Sequence, residues 1–229
     1  MSRPPLRWAW LGRVPYGEAL ARQRARRRAI QEGRASEAVW LLEHPPVVTT
    51  GRRPAPGTPG RAALAARGVA LHATERGGLA TYHAPGQLVA YLLVDTGRRS
   101  LGVRHLVSRM EDAVIAWLAS HGTTAGRREG LPGVWVGPDK IAALGLHVHR
   151  GVTMHGLALN LCPDLAGFGL IVPCGVTDGG ITSLAQQQGR SPTPAIAAPS
   201  LGAALVEAVE KPLPPKLHRE SPKQAPGTP

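Results

Sequence analysis

Residues 141–161 read IAALGLHVHRGVTMHGLALNL, and this stretch decides the fold class. Two apolar runs, 141–149 and 152–161, flank the dipeptide Arg150-Gly151, which is typical of a tight turn. In the second run the apolar residues roughly alternate with other types, at Val152, Met154, Leu157, Leu159 and Leu161. The pattern predicts two neighbouring strands joined by a tight turn, the second with one buried face.

Helices are predicted on both sides of these strands. The clearest spans residues 103–120, where apolar residues recur at spacings of three and four and Gly122 ends the helix. Those apolar residues are Val103, Leu106, Val107, Met110, Val114, Trp117 and Leu118. A basic helix is expected over residues 16–32, with Glu18 and Arg22 placed for an i,i+4 pair. A short helix should stop at Gly68, and Ser200 should cap a last helix that runs to about Lys211.

Five further segments have the composition of strands: residues 38–42, 47–50, 69–73, 87–95 and 133–136. Residues 53–60 and the glycine-containing turn between 73 and 87 are expected to be loops. Strands and helices do not alternate regularly, as they would in a Rossmann fold. We therefore predict an α+β fold, a mixed β-sheet with flanking helices.

The chain has 229 residues, enough for one large domain, and its hydrophobic fraction of 43% is ordinary for a globular protein. Residues 212–229 are rich in Pro and Lys and contain few apolar side chains. We therefore predict a folded domain over residues 1–211 and a disordered tail over residues 212–229.

The formal net charge is +12 at pH 7, carried mostly by arginine. A basic surface attracts nucleic acids, acidic membranes or acidic proteins, and charge alone does not choose among them. The sequence has no zinc-finger spacing, helix-turn-helix or paired strand aromatics that would recognise a nucleic acid. We expect no nucleic-acid partner, and a basic nucleic-acid-binding protein is the non-enzymatic alternative.

Two cysteines, Cys162 and Cys174, are too few for a disulfide framework. The apolar run at residues 8–11 is too short for a signal peptide or a membrane span. A cytoplasmic protein with no membrane partner is therefore expected. Residues 22–28 are arginine-rich, as in mitochondrial transit peptides, but they are poor in serine and domain-like sequence follows at once.

Cys174 is the candidate nucleophile. It lies in Pro173-Cys174-Gly175, just ahead of a glycine-rich turn. Proline stiffens the approach, glycine lets a substrate carbonyl come close, and the backbone N–H groups that follow could stabilise an oxyanion. The alternative is a small buried cysteine, and for Cys162, at the end of an apolar strand, that alternative is the prediction.

A thiol with a pKa of about 8.5 is only a few per cent thiolate at neutral pH, so a nucleophilic cysteine needs a cation nearby. Lys140 begins a strand of small and apolar residues, an unusual place for a solvated lysine. We predict that Lys140 lowers the pKa of Cys174 and then acts as a general base, with a solvated turn lysine as the alternative. His83 could orient an acyl carbonyl or help to ionise Cys174.

His147 and His149 share one face of a predicted strand, and His155 follows soon after. A metal site is conceivable, but no nearby Cys, Asp or Glu completes a ligand set, so exposed basic residues are predicted and no metal. The sequence also lacks G-x-x-x-x-G-K-[ST], G-x-G-x-x-G, G-x-S-x-G and H-E-x-x-H. The missing G-x-S-x-G argues against a serine hydrolase of the common fold.

Three segments, taken in order, resemble the lipoyl(octanoyl) transferase family. Residues 76–87 read RGGLATYHAPGQ, close to the family's R-G-G-x-x-T-Y-H-G-P-G-Q. Residues 133–136 read GVWV, with KIAALG at 140–145. Residues 155–160 read HGLALN and lead to PCG at 173–175, and EHPP at 43–46 resembles an early family element. The resemblance spans roughly residues 41–184.

The resemblance implies that Cys174 forms an acyl thioester and that Lys140 is the lysine that lowers the cysteine pKa. It also implies an acyl-substrate pocket built from three segments. These are Arg76, Gly77, Gly78, Leu79, Ala80, Thr81, Tyr82 and His83, then Ala143, Leu144 and Gly145, then Gly156, Leu157 and Ala158. The implied fold is α+β, related to the catalytic domains of biotin and lipoate protein ligases.

The implied activity is transfer of an octanoyl group from acyl carrier protein to a lysine of a lipoyl-accepting domain, the first step of endogenous protein lipoylation. The implied acceptors are the lipoyl domains of 2-oxoacid dehydrogenases and the glycine cleavage H protein. Such carrier and lipoyl domains are generally acidic, which suits a basic enzyme. No cofactor is implied, since an amide forms from a thioester without ATP. The alternatives are an ATP-dependent lipoate or biotin ligase and, less favoured, a cysteine hydrolase.

The chain departs from the family pattern at a few positions. Ala84 replaces a usual glycine, which puts one turn conformation in doubt, and Val172 replaces a residue that is often polar. His147 and His149 stand where relatives often carry arginine or another basic residue, which favours a basic face over a metal site.

Overall fold

The computed structural model describes residues 4–171 and 179–212. The helices of these residues are α1 Tyr16–Gln31, α2 Arg61–Ala65, α3 Val103–Ser120, α4 Leu184–Gln188 and α5 Pro194–Glu210, with a 3₁₀ helix at Leu165–Leu170. The strands are β1 Trp8–Arg13, β2 Ala38–Glu43, β3 Val47–Thr50, β4 Ala70–Ala73, β5 Ala80–His83, β6 Gln87–Leu93, β7 Gly126–Arg128, β8 Leu131–Val136, β9 Asp139–His149 and β10 Val152–Asn160.

Seven strands form the large sheet, in the order β1-β2-β6-β10-β9-β8-β7. Strands β1 and β2 are parallel, and the other neighbours are antiparallel. Helices α3 and α5 cover one face and α1 covers the other, so that β6 is buried on both. The predicted α+β fold, a mixed sheet with flanking helices, is confirmed.

The predicted hairpin is confirmed at β9 and β10. His149 pairs with Val152, and the two residues between them, Arg150 and Gly151, have φ values of 46° and 79°. Positive φ at both positions is the geometry of a two-residue hairpin turn. The prediction of one buried face on β10 is wrong, because all nine of its residues are buried. Strand β10 lies between β6 and β9 with structure packed on both faces, which removes the polar alternation.

A smaller sheet has the order β4-β3-β5, with β3 parallel to β4 and antiparallel to β5. Its apolar side packs with α2 and the 3₁₀ helix. Strand β5 was not predicted, because the glycines before it favour a loop. The doubt raised by Ala84 is resolved: its φ is not positive, and the left-handed residue of this turn is Gly86, with φ of 88°.

Helix α3 has the predicted bounds, and Gly122 follows it with φ of 76°. Its predicted core positions are buried except Val103, which is 41% exposed, and Val107, which is half-buried. Both valines line a cavity instead. The Glu18–Arg22 pair expected on α1 forms.

The start of α5 was predicted wrongly. The helix begins at Pro194, preceded by Thr193, and continues through Pro199. Proline is favourable at the first helical position, where its missing N–H costs nothing. Ser200 is not the cap: its Oγ donates to Ala197 O at 3.1 Å and accepts from Trp117 Nε1–H at 2.9 Å, so it joins α5 to α3. Elements β1, β7 and α4 were also not predicted.

No helix among residues 4–171 and 179–212 is long and apolar enough to cross a membrane. Helix α5 ends at Glu210. The predicted tail, from residue 213 onward, and the candidate nucleophile Cys174 lie outside the described residues.

Candidate active site

A cavity of about 490 Å³ lies between the large sheet, the small sheet and the first turns of α3. Lys140 lines it together with most residues of the three predicted pocket segments. These residues are Arg76, Gly77, Gly78, Leu79, Ala80, Thr81, His83, Ala143, Leu144, Gly145, Gly156, Leu157 and Ala158. The fold thus brings together segments that are far apart in the sequence.

Tyr82 is the predicted pocket residue that the structure does not place at the cavity. Successive side chains of a strand point to opposite faces, and Thr81 and His83 face the cavity while Tyr82 faces away. The Tyr82 ring packs against Phe168, with centroids 5.4 Å apart. Tyr82 therefore belongs to the core of the small sheet.

The pairing of β9 with β10 places two of the pocket segments side by side. Gly145 pairs with Gly156, and Ala143 pairs with Ala158. A Cβ at Gly156 would lie 2.1 Å from Ala90 O on β6, so only glycine allows the strands to approach this closely. The loop at 76–79 joins the edge of β9, where Gly77 N–H donates to Leu146 O at 3.3 Å.

Arg76 fastens that loop to the small sheet. Its buried guanidinium donates to Thr49 O at 2.6 Å and to Thr49 Oγ1 at 2.9 Å. It also donates to Gly77 O at 3.0 Å. A bidentate, fully charged group of this kind gives the cavity wall a fixed shape and a fixed positive charge.

The lysine side of the cavity is formed by Leu131, Pro132, Lys140 and Ile181. Lys140 is buried, with 9% of its surface exposed, so the alternative of a solvated turn lysine is wrong. The backbone N–H of Lys140 donates to Gly180 O at 2.9 Å, and its backbone carbonyl accepts from Thr182 N–H at 3.0 Å. The chain at residues 180–182 therefore runs along the start of β9.

Ile171 and Ile181, on either side of residues 172–178, both line this same cavity. The described chain therefore lies at the cavity wall at both of these positions.

The histidine side of the cavity is formed by Tyr16, His83, Tyr91 and His155. The Tyr16 and His83 rings stack at 6.1 Å, and the Tyr91 and His155 rings lie 6.3 Å apart. Behind them, His44 Nδ1–H donates to the Val14 carbonyl at 2.6 Å. His44 Nε2 therefore accepts from the Tyr91 hydroxyl, also at 2.6 Å.

Burial keeps these groups uncharged. Desolvation lowers the pKa of His44 to about 4, and it lowers the pKa of His155 to about 4 as well. Burial, aided by His44 and Arg76, lowers the pKa of His83 to about 3, while burial raises the pKa of Tyr16 to about 12. His83 is therefore neutral at pH 7 and supplies no positive charge that would ionise Cys174.

A chain of hydrogen bonds links the two sides. His83 Nδ1–H donates to Gln87 Oε1 at 2.6 Å, and Gln87 Nε2–H donates to Asn160 Oδ1 at 2.8 Å. Asn160 Nδ2–H donates to Thr182 O at 3.0 Å, and the Thr182 N–H donates to the backbone carbonyl of Lys140. This orientation leaves His83 Nε2 as an acceptor at the cavity.

His155 has an unusual backbone for a residue inside a strand, with φ of 63°. Its N–H donates to Gln23 Oε1 on α1 at 2.8 Å instead of to a neighbouring strand. His155 is 2% exposed, and its Nε2 has no hydrogen-bond partner in the described part of the chain. A strained, buried residue of this kind is typical of functional sites.

The chain is similar to proteins of known family. The model of the lipoyl protein ligase A/B catalytic domain matches residues 15–206. An octanoyltransferase of Dinoroseobacter shibae is 47% identical over 189 residues, which are 76% of this chain and 83% of that protein. An octanoyltransferase of Chloroflexus aggregans is 46% identical over 202 residues, 85% of this chain and 90% of that protein. The chain belongs to the lipoyl(octanoyl) transferase family. It is therefore an acyltransferase.

The fold of the transferase is also that of lipoate ligases. The crystal structure of lipoate-protein ligase A bound with ATP superposes with a TM-score of 0.63 and 17% identity, covering 90% of this chain and 84% of the other. At this identity the likeness shows the fold, as the sequence resemblance implied.

Several cavity residues of the transferase were not predicted. Gln87 and Asn160 lie inside matched motifs, so the motifs held a signal for them. No sequence signal indicated Tyr16 of α1, because its approach to His83 depends on tertiary packing. For Val103 and Val107, the helical period indicated an apolar face but not that this part of the face borders a cavity.

Cys162 of the transferase is exposed, so the prediction of a buried cysteine there is wrong. It follows the end of β10, where the chain leaves the sheet and the Cys162 N–H donates to Gly86 O. His147 Nδ1 accepts from Arg27 Nη1 at 3.3 Å. No group of three or more His, Cys, Asp or Glu placed to hold a metal is found among the residues described.

Proposed function

We propose that this chain transfers an octanoyl group from acyl carrier protein to a lysine of a lipoyl-accepting domain through a thioester on Cys174. The supporting observation is the position of Lys140, buried on the cavity wall and paired with residues 180–182. Ile171, three residues before Cys174, lines the same cavity. Three residues span at most about 11 Å, so the thiol is within reach of the cavity.

In the proposed first step, Cys174 Sγ attacks the carbonyl carbon of the donor thioester as a thiolate. The bond between that carbon and the carrier's pantetheine sulfur then breaks. The Lys140 ammonium gives its proton to the departing sulfur. The products are octanoyl-Cys174, a neutral Lys140 and a free carrier thiol, and the thiolate is restored only in the next step.

In the proposed second step, the neutral amine of the acceptor lysine attacks the octanoyl carbonyl. Its proton passes to Lys140, the bond to Cys174 Sγ breaks, and the thiolate again faces an ammonium. The balance is thioester plus amine to amide plus thiol. No ATP enters, which separates this route from adenylate formation in a ligase.

The acyl chain is proposed to lie along the apolar part of the cavity wall, formed by Val103, Val107, Leu131, Leu144 and Leu157. Burial of each methylene contributes about 0.8 kcal/mol. Preference for eight carbons should therefore be graded, with a change of roughly fourfold for each methylene, rather than absolute.

The proposed acceptors are the lipoyl domains of 2-oxoacid dehydrogenases and the glycine cleavage H protein. The formal charge of +12 suits acidic partners of this kind, both as carrier and as acceptor. We also propose that the enzyme works in the cytoplasm.

Intact-mass spectrometry after incubation with octanoyl-loaded carrier protein, without ATP, tests the proposal. We expect one octanoyl adduct that hydroxylamine removes. It should be absent from Cys174→Ala and normal in the matched control Cys162→Ser, because Cys162 lies outside the cavity lining. Normal acceptor modification by Cys174→Ala would refute the covalent route. A requirement for ATP and free octanoate would indicate a ligase.

A further inference from the structure

Lys140 lies at an irregularity in the pairing of β8 with β9. Val134 pairs with Ala142, but Trp135, the next residue, pairs with Lys140, so that Ile141 is an extra residue on β9. A bulge of this kind turns the side chains beside it and is common next to active sites.

The Trp135 ring lies beneath the ammonium of Lys140. Nζ is 4.6 Å from the ring centroid, within the range of a cation–π contact, and Trp135 is only 2% exposed. The ring is itself fixed, since its Nε1–H donates to Leu131 O at 3.2 Å. The Arg128 guanidinium carbon lies 4.9 Å from the same centroid.

Gly133 makes room for the stem of Lys140. Its φ is 141°, a conformation that residues with a side chain rarely adopt. A Cβ there would lie 3.1 Å from Lys140 Cε and 2.8 Å from Ala142 O. Glycine at position 133 therefore leaves the space that the Lys140 side chain occupies.

Glu111 on α3 holds this glycine in place. Its Oε1 accepts from Gly133 N–H at 3.0 Å, and its Oε2 accepts from Arg127 Nε at 2.7 Å. Glu111 is 6% exposed, so a carboxylate is buried in the core of the domain to bond one backbone N–H and one guanidinium. A buried charge with these partners orients what it binds.

We propose that Gly133 and Trp135 form a platform that aims the Lys140 ammonium into the cavity, and that Glu111 fixes the platform from α3. The inference rests on the proposed role of Lys140 and adds Glu111, Gly133 and Trp135 as positioning residues. The ring favours the charged amine, and the platform keeps it close to the thiolate.

The other charged groups beside the platform are already engaged. Arg127 also contacts Asp112, at 2.8 Å, and Asp139 Oδ1 accepts from Gly180 N–H at 2.7 Å. Arg128 Nη1 donates to Pro138 O at 3.3 Å. These bonds to Asp112, Gly180 and Pro138 do not involve the side chains of Glu111 or Trp135, so the test substitutions do not remove them directly.

The experiment measures the rate of Cys174 alkylation by iodoacetamide as a function of pH, in a Cys162→Ser background. Removing the ring in Trp135→Leu should raise the midpoint, the pH at which the alkylation rate is half its maximum, by roughly one pH unit. Trp135→Phe, which keeps a weaker aromatic face, should raise it less. The matched control Trp10→Leu, at the opposite edge of the sheet, should leave the profile unchanged.

Glu111 is tested by rescue. Glu111→Gln keeps an oxygen that can accept from Gly133 N–H and should keep most of the wild-type profile. Glu111→Ala should shift it in the same direction as Trp135→Leu and lower kcat for octanoyl transfer more than it changes KM. If Glu111→Gln and Glu111→Ala shift the pH profile and lower kcat equally, Glu111 is not a positioning residue.

Lys140→Met separates this inference from the proposed function. If Lys140→Met leaves the alkylation midpoint unchanged, the proposed role of Lys140 is wrong. If Lys140→Met shifts the midpoint but folded Trp135→Leu and Trp135→Phe both keep the wild-type profile, only the platform is wrong. Circular dichroism establishes folding, and Trp135→Phe serves the test if Trp135→Leu does not fold.

Discussion

The two sides of the cavity treat ionisable groups differently. On the lysine side, the Lys140 ammonium lies 4.6 Å from the Trp135 ring, a neighbour that favours the charged form. On the histidine side, His83 lies against the Tyr16 and His44 rings, and His155 lies against the Tyr91 ring. Burial lowers the pKa of His83 to about 3 and that of His155 to about 4. One side holds an amine in contact with an aromatic ring, and the other holds imidazoles that stay neutral.

This difference assigns separate tasks to the two sides. In the proposed mechanism a proton passes from the acceptor amine to a base, and Lys140 is the proposed base. The neutral imidazoles instead present acceptors and a fixed shape. The hydrogen bonds from His83 through Gln87 and Asn160 to Thr182 fix the positions of the two sides relative to each other.

Of the substitutions on the two sides of the cavity, Lys140→Arg should have the largest effect. Arginine keeps a cation beside the thiolate but does not give up a proton near neutral pH, so it cannot serve as the base. The pantetheine sulfur can leave as a thiolate without receiving that proton, so we expect formation of octanoyl-Cys174 to slow modestly. The acceptor amine must lose its proton, so transfer to the acceptor lysine should slow by roughly 10²–10⁴-fold. Single-turnover mass spectrometry follows the two steps separately, and equal losses in both would contradict this division.

The histidine side should make stability depend on pH. Unfolded histidine titrates near 6.5, whereas the pKa of folded His44 is about 4 and that of His83 about 3. Between these pH values the unfolded chain binds more protons than the folded chain. The stabilisation that comes from the neutral histidines is therefore fully present above pH 6.5 and decreases as the pH falls toward 4. We expect a loss of about 2 kcal/mol for each buried histidine between pH 7.5 and pH 5.

Urea denaturation across this pH range measures the loss. His44→Gln should reduce the dependence of the unfolding free energy on pH, because one such group is removed. His105→Gln, at an exposed position on α3, should leave that dependence unchanged. A free energy of unfolding that is flat from pH 7.5 to pH 5 would show that the histidines are not held neutral.

The sequence predicted the parts of this molecule that local patterns encode. The β9–β10 hairpin followed from Arg150-Gly151 between two apolar runs, and α3 from the three-and-four spacing that ends at Gly122. The motif residues lining the cavity were found because Arg76, Lys140 and Gly156 stand in recognisable segments. These features depend on neighbours within a few residues or on a matched segment.

The remaining features depend on tertiary packing. The direction of Tyr82 follows from the register of β5, a strand hidden by the glycines before it. The neutrality of His83 and His155 follows from their burial in the folded domain, which no local pattern encodes. The contact of Trp135 with Lys140 follows from a bulge, visible only when the two strands are paired.

The last prediction concerns the backbone of the histidine side. His155 has φ of 63°, a conformation that asparagine tolerates and β-branched residues avoid. His155→Asn and His155→Val both lose the imidazole, but only valine adds backbone strain, of about 1–3 kcal/mol. Urea denaturation at pH 7.5 should therefore find the valine variant less stable by that amount. Equal stabilities would mean that α1, through Gln23, does not hold the strand in this conformation, and that the histidine side is shaped by side-chain packing instead.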